Sequence, residues 1–453
     1  MYDVQPLPFH WQFPPDYDSR SIRALDTALN EAPMYQSWRS YDPGPQSPVD
    51  IRFASMPALT KKDIREHFPD GVLPPGRDMK AAIARGEIEL VQTSGTTDDK
   101  ITNLWNQKWW DASEKASWKL NSVTTSVATG DHREAILVNP RNVGFISDHV
   151  DLTMAQRSLS RFLYLNEKTD PLSWSPEYIE RMIDELNTFR PAVLEANPSM
   201  LARFCRYIIA RGRKVFQPGV IVLTYECPTR FHYRQIKAVF DVPVASSYGS
   251  TETGYVFMQC EAGKFHQNVD FCRVDFQPLQ VQHGGPLLGR ILVTPLGNPW
   301  NYFIRFDTGD LVLVEQNGKC SCGRDKGIVL VTVAGRVVNL TLTCEGRLVT
   351  LLELDNAVDK LAGIDQYQLI QTDYGKYEFH VVTGRKDKAI MKKDATEILT
   401  KVYGKDSVVD VIFETDIAPE GSGKYLISKA LFPVKLDTYL DDRYTPPVGQ
   451  NTE

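Results

Sequence analysis

The sequence predicts an α/β protein: a large layered α/β domain on the amino-terminal side that carries a β-rich subdomain, and a small α+β domain on the carboxyl-terminal side. Three observations lead there. Between residues 135 and 246, short aliphatic runs (135–138, 192–195, 220–224, 242–246) alternate with helical-period segments at 175–189, 199–210 and 229–240, the order of a parallel sheet covered by helices. From about residue 255 the pattern changes to short β-like runs at 290–293, 303–305, 311–314 and 327–333, parted by glycine turns. Beyond Arg336 a helix at 348–361, strands at 366–371 and 377–383, a helix at 388–403 and a strand at 408–414 follow the order of a βαββαβ unit of about 100 residues. The expected domains are residues 1–336, with the β-rich subdomain at about 255–335, then 337–436, then a tail at 437–453.

The remaining elements fill in around this frame. Residues 1–18 read as a Pro- and aromatic-rich arm, followed by a helix over 19–32 with Ile22, Leu25 and Leu29 on one face. Thr60, with Asp63 three positions on, is a capping-box pattern for a helix. Residues 87–91 alternate like a half-buried strand, and 109–127 read as one helix with Trp110, Ser113, Ser117 and Leu120 on one side. The stripe Leu201, Phe204, Cys205 and Ile208 is core packing.

A chain of 453 residues can bury a large core and divides into two or more domains. Its 42% hydrophobic and 24% charged content is ordinary for a globular protein, and a formal charge of −6 leaves no nucleic-acid footprint, so phosphorylated ligands must be met by local geometry. The acidic, Pro-rich amino terminus is no secretory signal, and no apolar run approaches the roughly 20 residues of a membrane span, so a cytoplasmic location without a membrane partner is expected. Seven cysteines, an odd number in a long chain, point to reduced thiols instead of a disulfide framework. A homodimer stays open.

Four short stretches carry chemistry. Thr93, Ser94, Gly95, Thr96 and Thr97 group four hydroxyls around one glycine after the strand at 87–91; such a turn can aim backbone N–H groups and hydroxyls at an anion, or be a plain hairpin loop. It is not a Walker A loop, which needs a second glycine followed by Lys and Ser or Thr. Ser246 to Gly254 (SSYGSTETG) places Tyr248, hydroxyls and Glu252 at the carboxyl end of a strand, where open α/β sheets collect ligands; there a base can be stacked, a phosphate touched and Mg²⁺ held. Arg305 to Leu311 (RFDTGDL) offers a carboxylate after a glycine, suited to the two hydroxyls of a ribose, and Pro419 to Lys424 (PEGSGK) presents one lysine on a glycine loop. Each stretch taken singly also reads as an ordinary turn.

In this order and spacing, with Gly335-Arg336 between the last two, the motifs resemble the adenylate-forming ligase superfamily. Within it they are most similar to the phenylacetate–CoA ligase branch, through the stretch 59–71 (LTKKDIREHFPDG), the turn 320–324 (CSCGR), and Glu353 preceding Gln366, Tyr367 and Gln368. The resemblance implies activation of a carboxylic acid, here an aromatic one, by ATP to an acyl-adenylate, and transfer of the acyl group to an acceptor, commonly coenzyme A. It implies that Thr93 to Thr97 cradle the β- and γ-phosphates, Tyr248 stacks on adenine with Gly249 and Glu226 beside the nucleotide, Thr251 meets the α-phosphate, and Glu252 holds Mg²⁺. Asp310 takes the ribose hydroxyls with Arg336 beside it, and Lys424 reaches the reacting oxygens.

The sequence departs from the family at three places. Asp98, Asp99 and Lys100 stand where the phosphate loop continues with Gly and Pro, and two carboxylates beside a triphosphate are unfavourable unless they point away or bind metal. Val337 to Thr343 replaces an acidic hinge pair and a glycine-bearing loop, which leaves an amine acceptor and an amide product open beside coenzyme A; Tyr225 replaces the glycine before Glu226. A degenerate member that binds nucleotide without turnover is the alternative outside enzymes. Separately, Cys260-x5-His266 and Cys320-x-Cys322 supply three thiolates and one imidazole, a closed tetrahedral set for structural Zn²⁺, while Cys205, Cys227, Cys272 and Cys344 read as structural.

Overall fold

The computed structural model describes residues 7–74, 76–92, 100–420 and 423–444. The motif residues Thr93, Ser94, Gly95, Thr96 and Thr97, with Asp98 and Asp99, lie outside the described residues, as do Gly421 and Ser422. The fold is α/β, and the chain divides into two compact units: residues 1–122, 247–333 and 436–453 form one, 123–246 and 334–435 the other.

In the first unit the helix Tyr17–Glu31 turns Leu25, Ala28 and Leu29 into a core shared with Phe53, Leu59, Ile64 and Phe306. The helix Lys61–His67 starts at the expected capping box: Asp63 N–H donates to Thr60 Oγ1 at 3.2 Å, and the Asp63 carboxylate accepts the Thr60 N–H at 2.8 Å. The body of the unit is antiparallel. Cys272–Pro278, Leu288–Pro295 and Phe306–Val314 lie side by side, and Gly254–Gln259 pairs with Phe265–Gln267. No separate strand forms at 303–305: Arg305 takes a left-handed φ of 53°, which breaks the extended run, so the strand begins at Phe306 and takes in the remaining FDTGD of the motif.

Two further expectations are corrected here. Glu89–Gln92 does form a strand, but in a two-stranded ribbon with Thr102–Trp105 that leaves Leu90 51% exposed, so it is not half-buried. The segment 109–127 is not one helix but two, Gln107–Trp118 and Ser122–Val127. Between them the α-ladder tightens to three-residue bonds, Leu120 N–H to the Ser117 carbonyl at 2.9 Å and Asn121 N–H to the Trp118 carbonyl at 3.1 Å, and the Asn121 side-chain amide donates to the Gln259 carbonyl at 2.9 Å. Residues at the start of the expected tail are packed: Leu440 bridges Leu279, and Asp437 accepts from Arg290 at 2.8 Å.

In the second unit Glu134–Leu137 pairs in parallel with Phe162–Tyr164 and Val193–Ala196, and Val220–Leu223 continues the parallel order with the first half of Val244–Ser250. Every residue of Val193–Ala196 and Val220–Leu223 is buried, as a sheet covered on both faces requires. The covering helices Pro176–Phe189 and Pro198–Arg211 begin where Ser175 and Asn197 cap them with proline next in line, and bury Met182, Leu201, Phe204 and Ile208. Residues 366–430 add a sheet in the order Val408–Glu414, Lys376–Val382, Gln366–Asp373, Ser428–Ala430, with the helix Lys388–Tyr403 at the predicted bounds. The helix expected from 348 is shorter, Leu351–Val358, because Leu348–Val349 pairs with Thr341–Leu342 and Thr350 serves as the cap. Among the described residues no helix is long and apolar enough to cross a membrane, and the seven cysteines are free thiols.

Glu134 opens the first parallel strand with its carboxyl buried, 2.9 Å from the Arg161 guanidinium. Burial raises it from 4.5 to about 7, and Arg161 only partly offsets that. The folded state therefore keeps a proton that the unfolded chain loses near 4.5, and stability should fall as pH rises from about 4.5 through about 7. Glu134→Gln should flatten that fall, read as the denaturation midpoint at pH 5 and pH 7.5 for both proteins.

Candidate active site

In the second unit polar side chains cluster where the parallel strands end. Asn139 follows Glu134–Leu137, Asn197 follows Val193–Ala196, and Tyr225-Glu226 follows Val220–Leu223; each asparagine caps the next turn, its side-chain oxygen accepting from Arg141 or Met200 N–H. Tyr225 holds φ at 74°, the left-handed region that glycine occupies without cost and a tyrosine does not. Glu226 accepts the Ser199 hydroxyl at 2.6 Å and the Tyr425 N–H at 3.0 Å. Burial raises its carboxyl above the ordinary value, while Ser199, Tyr425 and the nearby Lys424 ammonium act in the other direction. His232 has its Nδ1 filled by the Thr229 N–H at 3.1 Å, which leaves the proton on Nε2, 3.5 Å from Ser199 Oγ; burial pushes this imidazole down to about 3, so it is neutral. Lys424 lies on a turn closed by Glu420 N–H to Lys424 carbonyl at 2.8 Å and Gly423 N–H to Glu420 carbonyl at 2.7 Å. Arg336 ends the strand Val329–Arg336 and leads into the 3₁₀ turn Val337–Asn339.

In the first unit the strand Val244–Ser250 runs on past Ser246 through Tyr248 and Gly249, so SSYGS is strand and only Thr251 to Thr253 turn back. Its pairing with Gly254–Gln259 slips between Tyr248 and Gly249, a bulge that re-aims the tyrosine. The Tyr248 hydroxyl donates to Asp310 Oδ2 at 2.7 Å, which brings the YGSTE and RFDTGD motifs into contact. Glu252 is 4% exposed, and Ser250 and Thr253 share a hydroxyl contact at 2.9 Å. Asp310 lies one residue past Gly309, whose N–H donates to Asp307 at 2.9 Å.

A separate cluster in this unit joins Cys260, His266, Cys320 and Cys322, whose ligand atoms all lie within 4.8 Å of one another. Cys260 and Cys320 sulfurs are 3.6 Å apart and Cys322 Sγ is 3.2 Å from His266 Nε2. Two thiolates bound at 2.3 Å on a tetrahedral ion stand about 3.8 Å apart, so the set fits a zinc-sized centre. Burial pushes His266 down to about 4, leaving the neutral imidazole a metal needs.

Sequence reasoning singled out Glu226, Tyr248, Gly249, Thr251, Glu252, Asp310, Arg336, Lys424 and the Cys/His set, and it did not single out Ser199 or His232: nothing local marks either as a neighbour of Glu226.

The fold these elements build is that of the adenylate-forming ligases. Among solved structures it is similar to a 2-hydroxyisobutyryl-CoA ligase in its postadenylation state with an acyl-AMP, at a TM-score of 0.68 with 15% identity over 92% of this chain and 88% of that one. The same ligase in an open conformation with 2-HIB-AMP and CoA gives 0.57, with 16% identity over 92% and 91%. Protein CapK of Staphylococcus aureus is 25% identical over 199 residues, 44% of this chain; the match spans less than half of that relative, 43% of its length. No family model matches the chain.

Gly249 has to be glycine, since a Cβ there would lie 2.3 Å from the Gly254 carbonyl oxygen, whereas one at Gly384 meets nothing within 4 Å. Gly249→Ala should destabilise the protein by about 1–3 kcal/mol through the forced backbone shift, with Gly384→Ala close to neutral, both measured by calorimetry.

Proposed function

We propose that this chain is an ATP-dependent ligase that converts a carboxylic acid, of aromatic or arylalkyl type, to its acyl-adenylate and then passes the acyl group to the thiol of coenzyme A. The observation that carries the reading is the Tyr248–Asp310 hydrogen bond, which couples the residue assigned to adenine with the residue assigned to ribose. The shared fold with a ligase whose structures hold acyl-AMP and CoA supports it.

In the first step a carboxylate oxygen attacks the α-phosphorus of ATP, and the bond to the bridging oxygen breaks as pyrophosphate leaves with the electron pair. Two anions must meet, so the protein's work is charge neutralisation and in-line positioning. The hydroxyl-rich residues Thr93, Ser94, Gly95, Thr96 and Thr97 would hold the β- and γ-phosphates, and Thr251 the α-phosphate. Tyr248 and Gly249 would pack on adenine, Asp310 would accept the ribose hydroxyls with Arg336 beside it, and Lys424 would draw charge from the reacting oxygens. Glu252, a nearly buried carboxylate, suits a hard cation, and Mg²⁺ bound there would screen the triphosphate. In the second step a thiolate attacks the acyl carbonyl carbon and AMP leaves. Val138 to Gly144 and Tyr225 follow strands of one sheet and would contribute to the acid pocket. An amine acceptor is the second reading, favoured by the segment after Arg336. There Asn339 and Ser428 exchange bonds of 2.9 and 2.6 Å where the family resemblance calls for a free glycine loop.

The test is acid-dependent exchange of labelled pyrophosphate into ATP with Mg²⁺, against benzoate, phenylacetate, 2-hydroxyisobutyrate and aliphatic acids. Exchange is expected with at least one aromatic acid, and Lys424→Ala should lower it by roughly 10²-fold or more. Silence with every acid despite measurable ATP binding refutes adenylation, and product analysis with coenzyme A against amines decides the acceptor.

Cys260, His266, Cys320 and Cys322 would hold structural Zn²⁺; a closed set of four protein ligands leaves no position for substrate, so the ion would clip a turn to a strand. Purified protein should carry one zinc per chain by elemental analysis. Cys320→Ser should lose it and melt several degrees lower.

A further inference from the structure

We infer that Glu226 is a positioning residue that latches the Lys424-bearing segment in place for adenylation, by accepting the Tyr425 N–H on one carboxylate oxygen and the Ser199 hydroxyl on the other. The inference rests on the adenylating role of Lys424 under the proposed function. It differs from a nucleotide contact because the donors that Glu226 meets belong to the protein, and one of them is the backbone N–H adjacent to Lys424.

Described residues on both sides of Lys424 are tied down. Arg203, on the helix Pro198–Arg211, pairs with Asp416. Gly423 lies against Asn139 so closely that a Cβ would fall 2.1 Å from the asparagine Nδ2, so only glycine fits. Tyr425 N–H closes on Glu226. Lys424 thus stands between two fixed points, Gly423 and Tyr425, which place the backbone that carries it.

The glutamate is itself held. Left-handed backbone at Tyr225 is strained for a residue with a side chain, and such strain persists only where the surroundings enforce it. Ser199 can give its hydroxyl proton to Glu226 because the nitrogen facing it, His232 Nε2, carries a proton and is no acceptor. His232 Nε2–H faces Ser199, and the Ser199 hydroxyl and the Tyr425 N–H both donate to Glu226, so the carboxylate accepts from two sides at once. The substitution of glycine by tyrosine before Glu226, which departs from the family pattern, falls at the residue whose conformation directs this carboxylate.

The experiment compares wild type with Glu226→Ala, Glu226→Gln and Ser199→Ala in the full chain. Hydrogen exchange of the peptide containing the Tyr425 amide should speed up by about 10- to 100-fold in Glu226→Ala, which removes the acceptor of that amide, and much less in Glu226→Gln, whose amide oxygen still accepts. Ser199→Ala, which leaves the Tyr425 bond intact, should fall between. Pyrophosphate exchange with an acid active in wild type should drop by a similar factor in kcat in Glu226→Ala, with the KM for ATP within about twofold. Acyl transfer to coenzyme A from the chemically prepared acyl-adenylate of that acid should be unchanged. A rise in the KM for ATP with kcat intact, or equal loss in both half-reactions, overturns the latch. If wild type adenylates no acid, the functional reading falls by itself, and the Tyr425 amide still decides the latch: an unchanged exchange rate in Glu226→Ala rejects it.

Discussion

Burial of the parallel strands on both faces is the constraint on which the second unit depends. Val193–Ala196 and Val220–Leu223 expose no side chain, so a polar group that is to meet a ligand has to emerge where the strands stop. That is where Asn139, Asn197, Tyr225 and Glu226 stand. The same residues start the next elements, because a helix beginning after a buried strand needs acceptors for its first N–H groups, and Asn197 and Thr229 supply them. Capping and chemistry draw on one set of positions, which is why Ser199, two residues into a helix, is within reach of Glu226.

The first unit solves a different problem. Its antiparallel strands have no common end at which to gather side chains, and the device used is local: a bulge between Tyr248 and Gly249 redirects the tyrosine, and close backbone approach fixes the residue after it as glycine. The result is a hydrogen bond joining two motifs 62 residues apart in sequence. The Cys/His cluster follows the same logic, joining the end of one strand, the body of the next and a turn 60 residues further on.

Much of the fold was legible. The alternation of aliphatic runs and helical periods located four of the parallel strands and their covering helices to within a few residues, but not Phe162–Tyr164, because both periodicities are local and a three-residue strand carries too little pattern; the caps Thr60, Ser175 and Thr229 are written in single residues. The errors fell where a distant contact overrides a local pattern. The expected helix at 109–127 breaks at 119–121, where Asn121 bonds Gln259, Arg305 turns left-handed within a β-like run, and residues 89–92 find a partner that leaves most of them exposed. Strands such as Gly254–Gln259 and Cys272–Pro278 carried too little alternation to stand out.

The candidate site divides in the same way. The sequence by itself determined which residue types are offered: hydroxyls around a glycine, a tyrosine and a glutamate after a strand, an aspartate after a glycine, a lysine in a glycine loop, and three cysteines with a histidine. Those are properties of short stretches, and chemistry restricts what each can do. Only the tertiary structure decided the partnerships, Tyr248 with Asp310, Glu226 with Ser199 and Tyr425, and Cys260 with Cys320, because a hydrogen bond or a ligand set needs atoms within about 3–4 Å of one another, and sequence separation says nothing about which distant atoms packing will bring that close.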